Sequence, residues 1–265
     1  RSCLQFLGVD ENLFISTVSD IPSGSGLGSS SAFTLGLLMC LHELLGESVS
    51  PIQLAEEASH VEIDILKNPI GKQDQYGCAL SGAKIITFNQ SGSVGIASNL
   101  ALQKIFHLLS QKSVLVWSGH QRKAANVLEK QKEKIENGDA LKSLHDMKAI
   151  SEGFAASLLE TNIPPSGIVT FYSQLRKDLK RSWSLKKTLT ENMVEIAVTK
   201  IIDDIIAANL DDYALKLCGA GGNGFILVTS NDQNTVIRER LLTVNPALKV
   251  SLFSVDNYGA HLICK

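Results

Sequence analysis

The chain has 265 residues, of which 44% are hydrophobic and 20% are charged, and its formal net charge is −2. This composition indicates a folded globular protein with one large or two modest domains and excludes a disordered chain. The near-neutral charge provides no general attraction to nucleic acid or to an anionic membrane, so we predict neither as a partner.

The five cysteines are scattered without a C-x-x-C pair, which favours reduced thiols in a cytoplasmic protein and argues against a zinc site. The longest apolar run, residues 32–45, is interrupted by His42 and Glu43 and is too short to span a bilayer. No secretory signal is visible. Arg1 is not a natural start, and the chain is expected to begin within a longer protein.

The apolar pattern predicts both strands and helices, beginning with strand and turn over residues 1–19 and a strand at residues 13–18. A glycine-rich loop leads into a buried helix at residues 32–45, and Ser50 and Pro51 begin a second helix that runs to Leu66. The remaining predictions are a helical turn at residues 73–80, strands at 84–88, 113–117, 225–228 and 250–255, a polar turn at 91–98, and helices at 121–147, 168–183, 190–209 and 233–242.

Three alternating glycines, Gly24, Gly26 and Gly28, and three serines, residues 29–31, lie between the first predicted strand and helix. Glycine permits a left-handed backbone and the close approach of a ligand. A glycine turn that opens a helix directs several N–H groups towards one anion, and serine hydroxyls can cap the helix or reach a metal-bound phosphate. The pattern predicts a phosphate-binding loop, with a flexible surface loop as the alternative.

The spacing matches neither common phosphate loop, because Ser29 stands where the dinucleotide pattern needs glycine and the Walker A pattern needs Gly-Lys-Ser/Thr. The order P-x-x-x-G-L-G-S-S instead resembles the second motif of the GHMP kinases, the superfamily of galactokinase, homoserine kinase, mevalonate kinase and phosphomevalonate kinase. The resemblance implies that ATP is bound here. The residues that it implies in binding are Pro22, Gly24, Ser25, Gly26, Leu27, Gly28, Ser29, Ser30 and Ser31.

Two acidic residues twelve positions apart, Glu62 and Asp74, are the candidates for catalysis. Phosphoryl transfer to a hydroxyl needs Mg²⁺ on the phosphates and often a carboxylate that receives the hydroxyl proton. The stretch at residues 62–75 resembles the galactokinase arrangement, which implies that Glu62 and Ser30 hold Mg²⁺ and that Asp74 is the base. Taken alone, Glu62 and Asp64 would be interpreted as solvent-facing helix charges.

Three further side chains are candidates at the site. Lys72 can lower the pKa of Asp74, stabilise charge on the γ-phosphate or be a surface lysine. Gln73 is assigned to the substrate. Arg122 is assigned to the phosphate of the substrate because a guanidinium binds phosphate oxygens in a two-pronged fashion, and a surface arginine is the alternative.

A second glycine-rich stretch, K-L-C-G-A-G-G-N-G-F at residues 216–225, resembles the third GHMP motif. The resemblance implies that Gly219, Gly221 and Gly222 contact the nucleotide. Asn223 stands where relatives usually carry glycine, a mild departure because asparagine tolerates the left-handed conformation. A plain helix C-cap and turn is the alternative.

Together with these motifs, W-x-L-K-K at residues 183–187 makes the chain resemble the D-glycero-D-manno-heptose 7-phosphate kinases. The basic motif with which the superfamily opens is not found before Asp20. This subgroup implies an ATP- and Mg²⁺-dependent kinase that acts on the anomeric hydroxyl of a sugar phosphate in the cytoplasm, with a homodimer as one compatible assembly. The alternatives are another GHMP sugar kinase and a non-catalytic nucleotide- or sugar-binding relative.

The fold implied is an α+β, two-domain GHMP kinase fold that is incomplete at its N-terminus. An ATP-binding domain like ribosomal protein S5 domain 2 would occupy residues 1–110, and a ferredoxin-like domain residues 111–265. The active site would lie in the cleft between them.

Overall fold

The computed structural model of the protein describes residues 1–10, 12–119, 135, 137–138, 140–160, 163–164, 166–189, 196–219, 221 and 223–263. The chain divides into two compact units, the first made of Arg1–Gly82 and Asp256–Lys265 and the second of Ala83–Val255. Helices and antiparallel strands both occur, so the predicted α+β class is confirmed. The predicted domains at residues 1–110 and 111–265 stay a prediction.

The first unit contains helices α1 (Ser2–Phe6), α2 (Ser29–Leu44), α3 (Pro51–Ser59) and α4 (Gln73–Ala79), and a π-helical segment at His60–Ile65. Helices α2, α3 and α4 pack against one another, and Leu38, Leu54 and Tyr76 are among their buried side chains. The predicted start of the second helix is confirmed, because the Ser50 hydroxyl accepts a hydrogen bond from the Gln53 N–H at 3.2 Å.

Two predictions for this unit were wrong. Residues 2–6 form helix α1, and residues 13–18 lie in irregular, largely exposed backbone instead of a strand. A strand is stabilised by hydrogen bonds to a neighbouring strand, and no strand in the described part of the chain pairs with residues 13–18. The second predicted helix has the expected extent, and after Ser59 it widens into the π-helical segment.

The second unit contains two antiparallel sheets. Strands β1 (Ile85–Phe88) and β2 (Val94–Ala97) form a hairpin. The other strands are β3 (Ser113–Trp117), β4 (Ala214–Leu217), β5 (Phe225–Thr229) and β6 (Lys249–Ser251), which form one sheet in the order β4-β5-β3-β6. The helices of this unit are α5 (Leu100–Gln111), α6 (Leu141–Glu160), α7 (Gly167–Leu189), α8 (Ile196–Ala207) and α9 (Asn234–Val244).

The core of the second unit lies between this four-stranded sheet and helices α8 and α9. Alternate residues of the central strands, such as Val114 and Val116 of β3, are fully buried, as expected for side chains that alternate between the two faces of a strand. They pack with Val198 and Ile205 of α8 and Ile237 of α9.

Several predictions for this unit are confirmed, including the strands at residues 113–117 and 225–228. Strand β2 was wrongly predicted as turn, and α5 and β4 were not predicted. The predicted helix at residues 121–147 falls mostly outside the described residues. Within those residues, no helix is both long and apolar enough to cross a membrane.

Candidate active site

The first glycine-rich loop leads directly into helix α2. Gly24, Gly26 and Gly28 have φ angles of 69°, 81° and 73°, in the left-handed region that favours glycine. Gly28 is the N-cap of α2, and no side chain caps the first turn. The N–H groups of that turn therefore stay available to an anion, as the phosphate-loop prediction requires.

The loop is packed closely against helix α4. A Cβ atom on Gly28 would lie 3.2 Å from the Cys78 sulfur and 3.5 Å from the Asp74 Cβ. Asp74 therefore lies beside the loop, as the two motifs together had suggested. Ser25 is fully buried, and its hydroxyl has no hydrogen-bond partner among the described residues, which is what a group that binds a ligand would show.

Glu62 is the most densely hydrogen-bonded carboxylate of the site. It extends from the π-helical segment and is 1% exposed. Its Oε1 accepts a hydrogen bond from Ser30 at 2.7 Å, and its Oε2 accepts from Ser31 at 2.7 Å and from Gln75 Nε2 at 2.5 Å. The alternative that Glu62 is a solvent-facing helix charge is wrong, because three segments converge on a buried carboxylate.

Asp74 and its neighbours form the first turn of α4. Partial burial of the carboxyl group raises the pKa of Asp74, and the negative charge of Glu62 raises it further. A hydrogen bond with Gln73 acts in the opposite direction. Lys72 is the N-cap residue of the helix and is exposed, as is Gln73. Asp74 is itself exposed, so a ligand can reach it from solvent.

The oxygen atoms at this point suit Mg²⁺. The Ser30 hydroxyl and the Glu62 carboxylate are in contact, and both are hard oxygen ligands of the kind that Mg²⁺ prefers. Among the described residues no group of three or more His, Cys, Asp or Glu side chains could hold a metal ion. Mg²⁺ usually needs only one or two carboxylates, together with waters and the phosphates of a substrate.

The second glycine-rich stretch is a connection between strands β4 and β5, so the alternative of a helix C-cap was wrong. The Cys218 N–H donates to the Phe225 carbonyl at 2.9 Å. Gly219, Gly221 and Gly224 have φ angles of 64°, 102° and 111°, which require glycine. Gly222 and Arg122 lie outside the described residues, and their predicted roles stay predictions.

Sequence reasoning did not identify two residues that hold these loops. Gln75, which is fully buried, donates to Glu62. Ser118, at the end of β3, accepts a hydrogen bond from the Gly224 N–H at 2.9 Å. Gln75 follows the predicted base Asp74, and Ser118 follows the predicted strand at residues 113–117, so proximity to a predicted feature was the signal available.

The sequence and the fold were compared with those of known proteins. Residues 2–82 match the profile described as GHMP kinases N terminal domain. Over 211 residues the chain is 28% identical to D-glycero-alpha-D-manno-heptose 7-phosphate kinase of Campylobacter jejuni, covering 79% of this chain and 59% of that protein. Over 239 residues it is 28% identical to L-fucokinase/L-fucose-1-P guanylyltransferase of Bacteroides fragilis, covering 87% of this chain and 24% of that protein.

Solved structures share the fold. A D-glycero-D-manno-heptose 1-phosphate kinase from Bacteroides thetaiotaomicron superposes with a TM-score of 0.66 at 22% identity, covering 92% of this chain and 65% of that one. A mevalonate kinase superposes with a TM-score of 0.65 at 20% identity, covering 97% of this chain and 74% of that one. The chain therefore has the fold of these kinases, although it spans less than two thirds of the heptose kinases that it matches.

Proposed function

We propose that this chain, whose residues 2–82 match the GHMP kinases N terminal domain, is a GHMP kinase that transfers the γ-phosphoryl group of ATP to a sugar hydroxyl. The observation that carries the proposal is the convergence of α2, the π-helical segment and α4 on the Glu62 carboxylate. This arrangement places a glycine-rich anion loop, a buried carboxylate and Asp74 together within the first unit.

Each group has a role that follows from its chemistry. The glycines and first-turn amides of α2 bind phosphate oxygens, with Ser25 as a further donor. Ser30 and Glu62 hold Mg²⁺, which when bound neutralises charge on the phosphates. Gly219, Gly221 and Gly222 are assigned to nucleotide binding, as their resemblance to the third GHMP motif implies.

Asp74 acts as the base. As the acceptor oxygen forms its bond to the γ-phosphorus, the O–H proton passes to the Asp74 carboxylate and the bond between the γ-phosphorus and the bridging oxygen breaks, which releases ADP. A carboxylate of raised pKa accepts a proton more readily than an ordinary aspartate, and its pKa is raised here. Lys72 stabilises charge that develops on the transferred group, and Gln73 and Arg122 bind the acceptor.

For the acceptor we propose D-glycero-D-manno-heptose 7-phosphate, phosphorylated at its anomeric hydroxyl to the 1,7-bisphosphate. The name of the C. jejuni relative supports this choice, and the W-x-L-K-K stretch agrees with it. The B. fragilis relative makes fucose the second candidate, since its identity to this chain is equal over a similar length. We place the reaction in the cytoplasm, in line with the absence of disulfides among the described cysteines.

The test is phosphoryl transfer from Mg-ATP to a panel of acceptors followed by mass spectrometry. The panel contains the heptose 7-phosphate, heptose, mannose, fucose, galactose and mevalonate. A doubly phosphorylated heptose supports the full proposal. Product from another acceptor alone keeps the kinase and overturns the substrate. ATP binding without any product supports a non-catalytic binding protein instead.

Asp74→Asn tests the base directly. The amide cannot accept the hydroxyl proton, so we expect turnover to fall by roughly 10²- to 10⁴-fold while the affinity for Mg-ATP, measured by calorimetry, stays close to that of the unaltered protein. Asp64→Asn is the matched control, because Asp64 is exposed and contacts His60. Retention of most activity by Asp74→Asn would rule out Asp74 as the base.

A further inference from the structure

Lys186 of helix α7 reaches the beginning of the second glycine-rich loop. Its ammonium group donates to the carbonyl oxygen of Gly219 at 2.8 Å and to that of Leu217 at 3.3 Å. Leu217 is the last residue of β4 and Gly219 the first glycine of the loop. A side chain from another element therefore holds the backbone at the point where the strand becomes the loop.

The other end of this loop is held by strand β3. The Gly224 N–H donates to the Ser118 hydroxyl at 2.9 Å, and the Ser118 N–H donates to the Gly224 carbonyl at 3.0 Å. The two ends are joined by the hydrogen bond from the Cys218 N–H to the Phe225 carbonyl. Lys186 and Ser118 thus hold opposite ends of the connection between β4 and β5.

The position of Lys186 is unfavourable for a charge. Burial, together with a smaller effect of the nearby positive charge of Lys216, lowers its pKa to about 8, against an opposite contribution from Cys218. An apolar side chain would fill this space without that cost. Two carbonyl oxygens within reach of one ammonium group are well matched to it, because it presents three N–H donors from one compact charge.

We propose that Lys186 is a positioning residue. By donating hydrogen bonds to the carbonyl oxygens of Leu217 and Gly219, it fixes the nucleotide-binding conformation of the loop between β4 and β5. The ligand that the loop serves is a nucleoside triphosphate, so this inference rests on the proposed function. Lys186 acts through the loop backbone and is not itself a contact of the reacting atoms.

The test uses Lys186→Met, which keeps the length and apolar stem of the side chain and removes its donors. Lys187→Met is the matched control, because Lys187 is the next residue on the same helix and is exposed. Lys186→Leu, which also lacks a donor, serves as the second variant if Lys186→Met does not fold. Circular dichroism and the unfolding temperature establish folding.

The first measurement is hydrogen–deuterium exchange by mass spectrometry on peptides that span β4, the loop and β5. In Lys186→Met we expect exchange of the loop amides, including those of Cys218 and Gly224, to rise roughly tenfold. We expect exchange in β3 to stay unchanged, and Lys187→Met to match the unaltered protein. Unchanged loop exchange in Lys186→Met, or in Lys186→Leu if the former is unfolded, overturns the inference.

The second measurement is the Kd of Mg-ATP together with kcat. Loss of two hydrogen bonds from a charged donor predicts a Kd raised roughly 10- to 100-fold, with kcat within about threefold at saturating ATP. Faster loop exchange with an unaltered Kd overturns the link between the loop and the nucleotide. If the unaltered protein binds no ATP, the proposed function fails, whereas the exchange result still decides whether Lys186 holds the loop.

Discussion

At the scale of single residues, Glu62 shows what the sequence could and could not predict. The resemblance to the GHMP kinases implied that Glu62 and Ser30 hold Mg²⁺ together, and their side chains lie 2.7 Å apart in the structure. Gln75 was not identified, because a glutamine in the first turn of a helix is an ordinary surface residue in most proteins. Only the packing of α4 against α2 brings its amide to Glu62. Contacts of this kind depend on tertiary structure that no local pattern contains.

Gln75→Met should weaken Mg²⁺ binding more than it destabilises the fold. Without the amide donor, Glu62 loses one of three hydrogen bonds that orient its carboxylate. Loss of an orienting partner typically costs 10- to 100-fold in metal affinity or activity, so we expect the Mg²⁺ concentration for half-maximal activity to rise roughly tenfold. Gln5→Met, at an exposed site on α1, should leave it unchanged. Equal Mg²⁺ dependence in both variants would contradict this role.

At the scale of elements, the junction between the glycine-rich loop and α2 combines backbone conformation with packing. Helix α2 begins within three residues of its predicted start, but the strand predicted before the loop is irregular. The helix was predictable because its hydrogen bonds form within the segment, whereas a strand depends on a partner elsewhere in the chain. Helix was predicted through Leu66, but the π-helical geometry of the segment that carries Glu62 was not.

Alanine substitutions at two glycines of this region should have opposite effects on the free energy of unfolding. Gly28→Ala forces a Cβ into a left-handed conformation and within 3.2 Å of the Cys78 sulfur, so we expect a loss of roughly 1–2 kcal/mol in the free energy of unfolding. Gly36 lies within α2, and a Cβ atom there would meet nothing within 4 Å. Gly36→Ala should therefore raise the free energy of unfolding by roughly 0.5–1 kcal/mol. Urea unfolding of both variants measures the two effects. The same sign for both would contradict the assigned backbone strain.

The junction of α2 and α3 contains a histidine held by two carboxylates. His42 Nδ1 lies 2.8 Å from Glu47 Oε2, and Nε2 lies 2.6 Å from Glu57 Oε2. Both ring nitrogens can donate only when the ring is protonated. Burial lowers the pKa of His42, but the hydrogen bonds with Glu57 and Glu47 outweigh burial and raise it above its ordinary value of 6.5.

A raised pKa means that the folded state binds this proton more tightly than the unfolded state. The stabilisation is therefore complete below the ordinary pKa of 6.5 and is lost as pH rises through the folded-state value. We expect the free energy of unfolding, measured in urea across a pH series, to fall from about pH 6.5 upward. His42→Gln should remove that slope, and His145→Gln, at an exposed site on α6, should retain it. A slope that survives His42→Gln would exclude this histidine as its source.

At the scale of the whole molecule, the chain passes from the first unit to the second and then returns. Residues 256–263 lie in the first unit, where the Gly82 N–H donates to the Asp256 carbonyl at 2.8 Å and the Ala260 N–H to the Ala79 carbonyl at 3.2 Å. The α+β class could be predicted from the sequence because helical and strand periodicities are local. This return could not, because nothing in residues 256–263 indicates a partner so distant along the chain.

Gly259→Ala should destabilise the first unit although it lies far along the chain. Gly259 has a φ of +66°, and a Cβ atom there would lie 2.6 Å from the Ala79 carbonyl oxygen. We expect the free energy of unfolding to fall by roughly 2–4 kcal/mol, with faster hydrogen exchange in α4 and unchanged exchange in β3. Gly46→Ala, with a φ of +71° and nothing within 4 Å, isolates the cost of the backbone conformation. An equal loss in both variants would show that the contact with Ala79 contributes nothing.

The return of residues 256–263 also sets an order of assembly during synthesis. A ribosome releases the chain from its N-terminus, and domains generally fold as they emerge. The second unit is continuous in sequence and can form its core as soon as Val255 is free. Until then, the helices of the first unit lack the contacts with residues 256–263. A segment made after the second unit therefore completes the unit that was made before it.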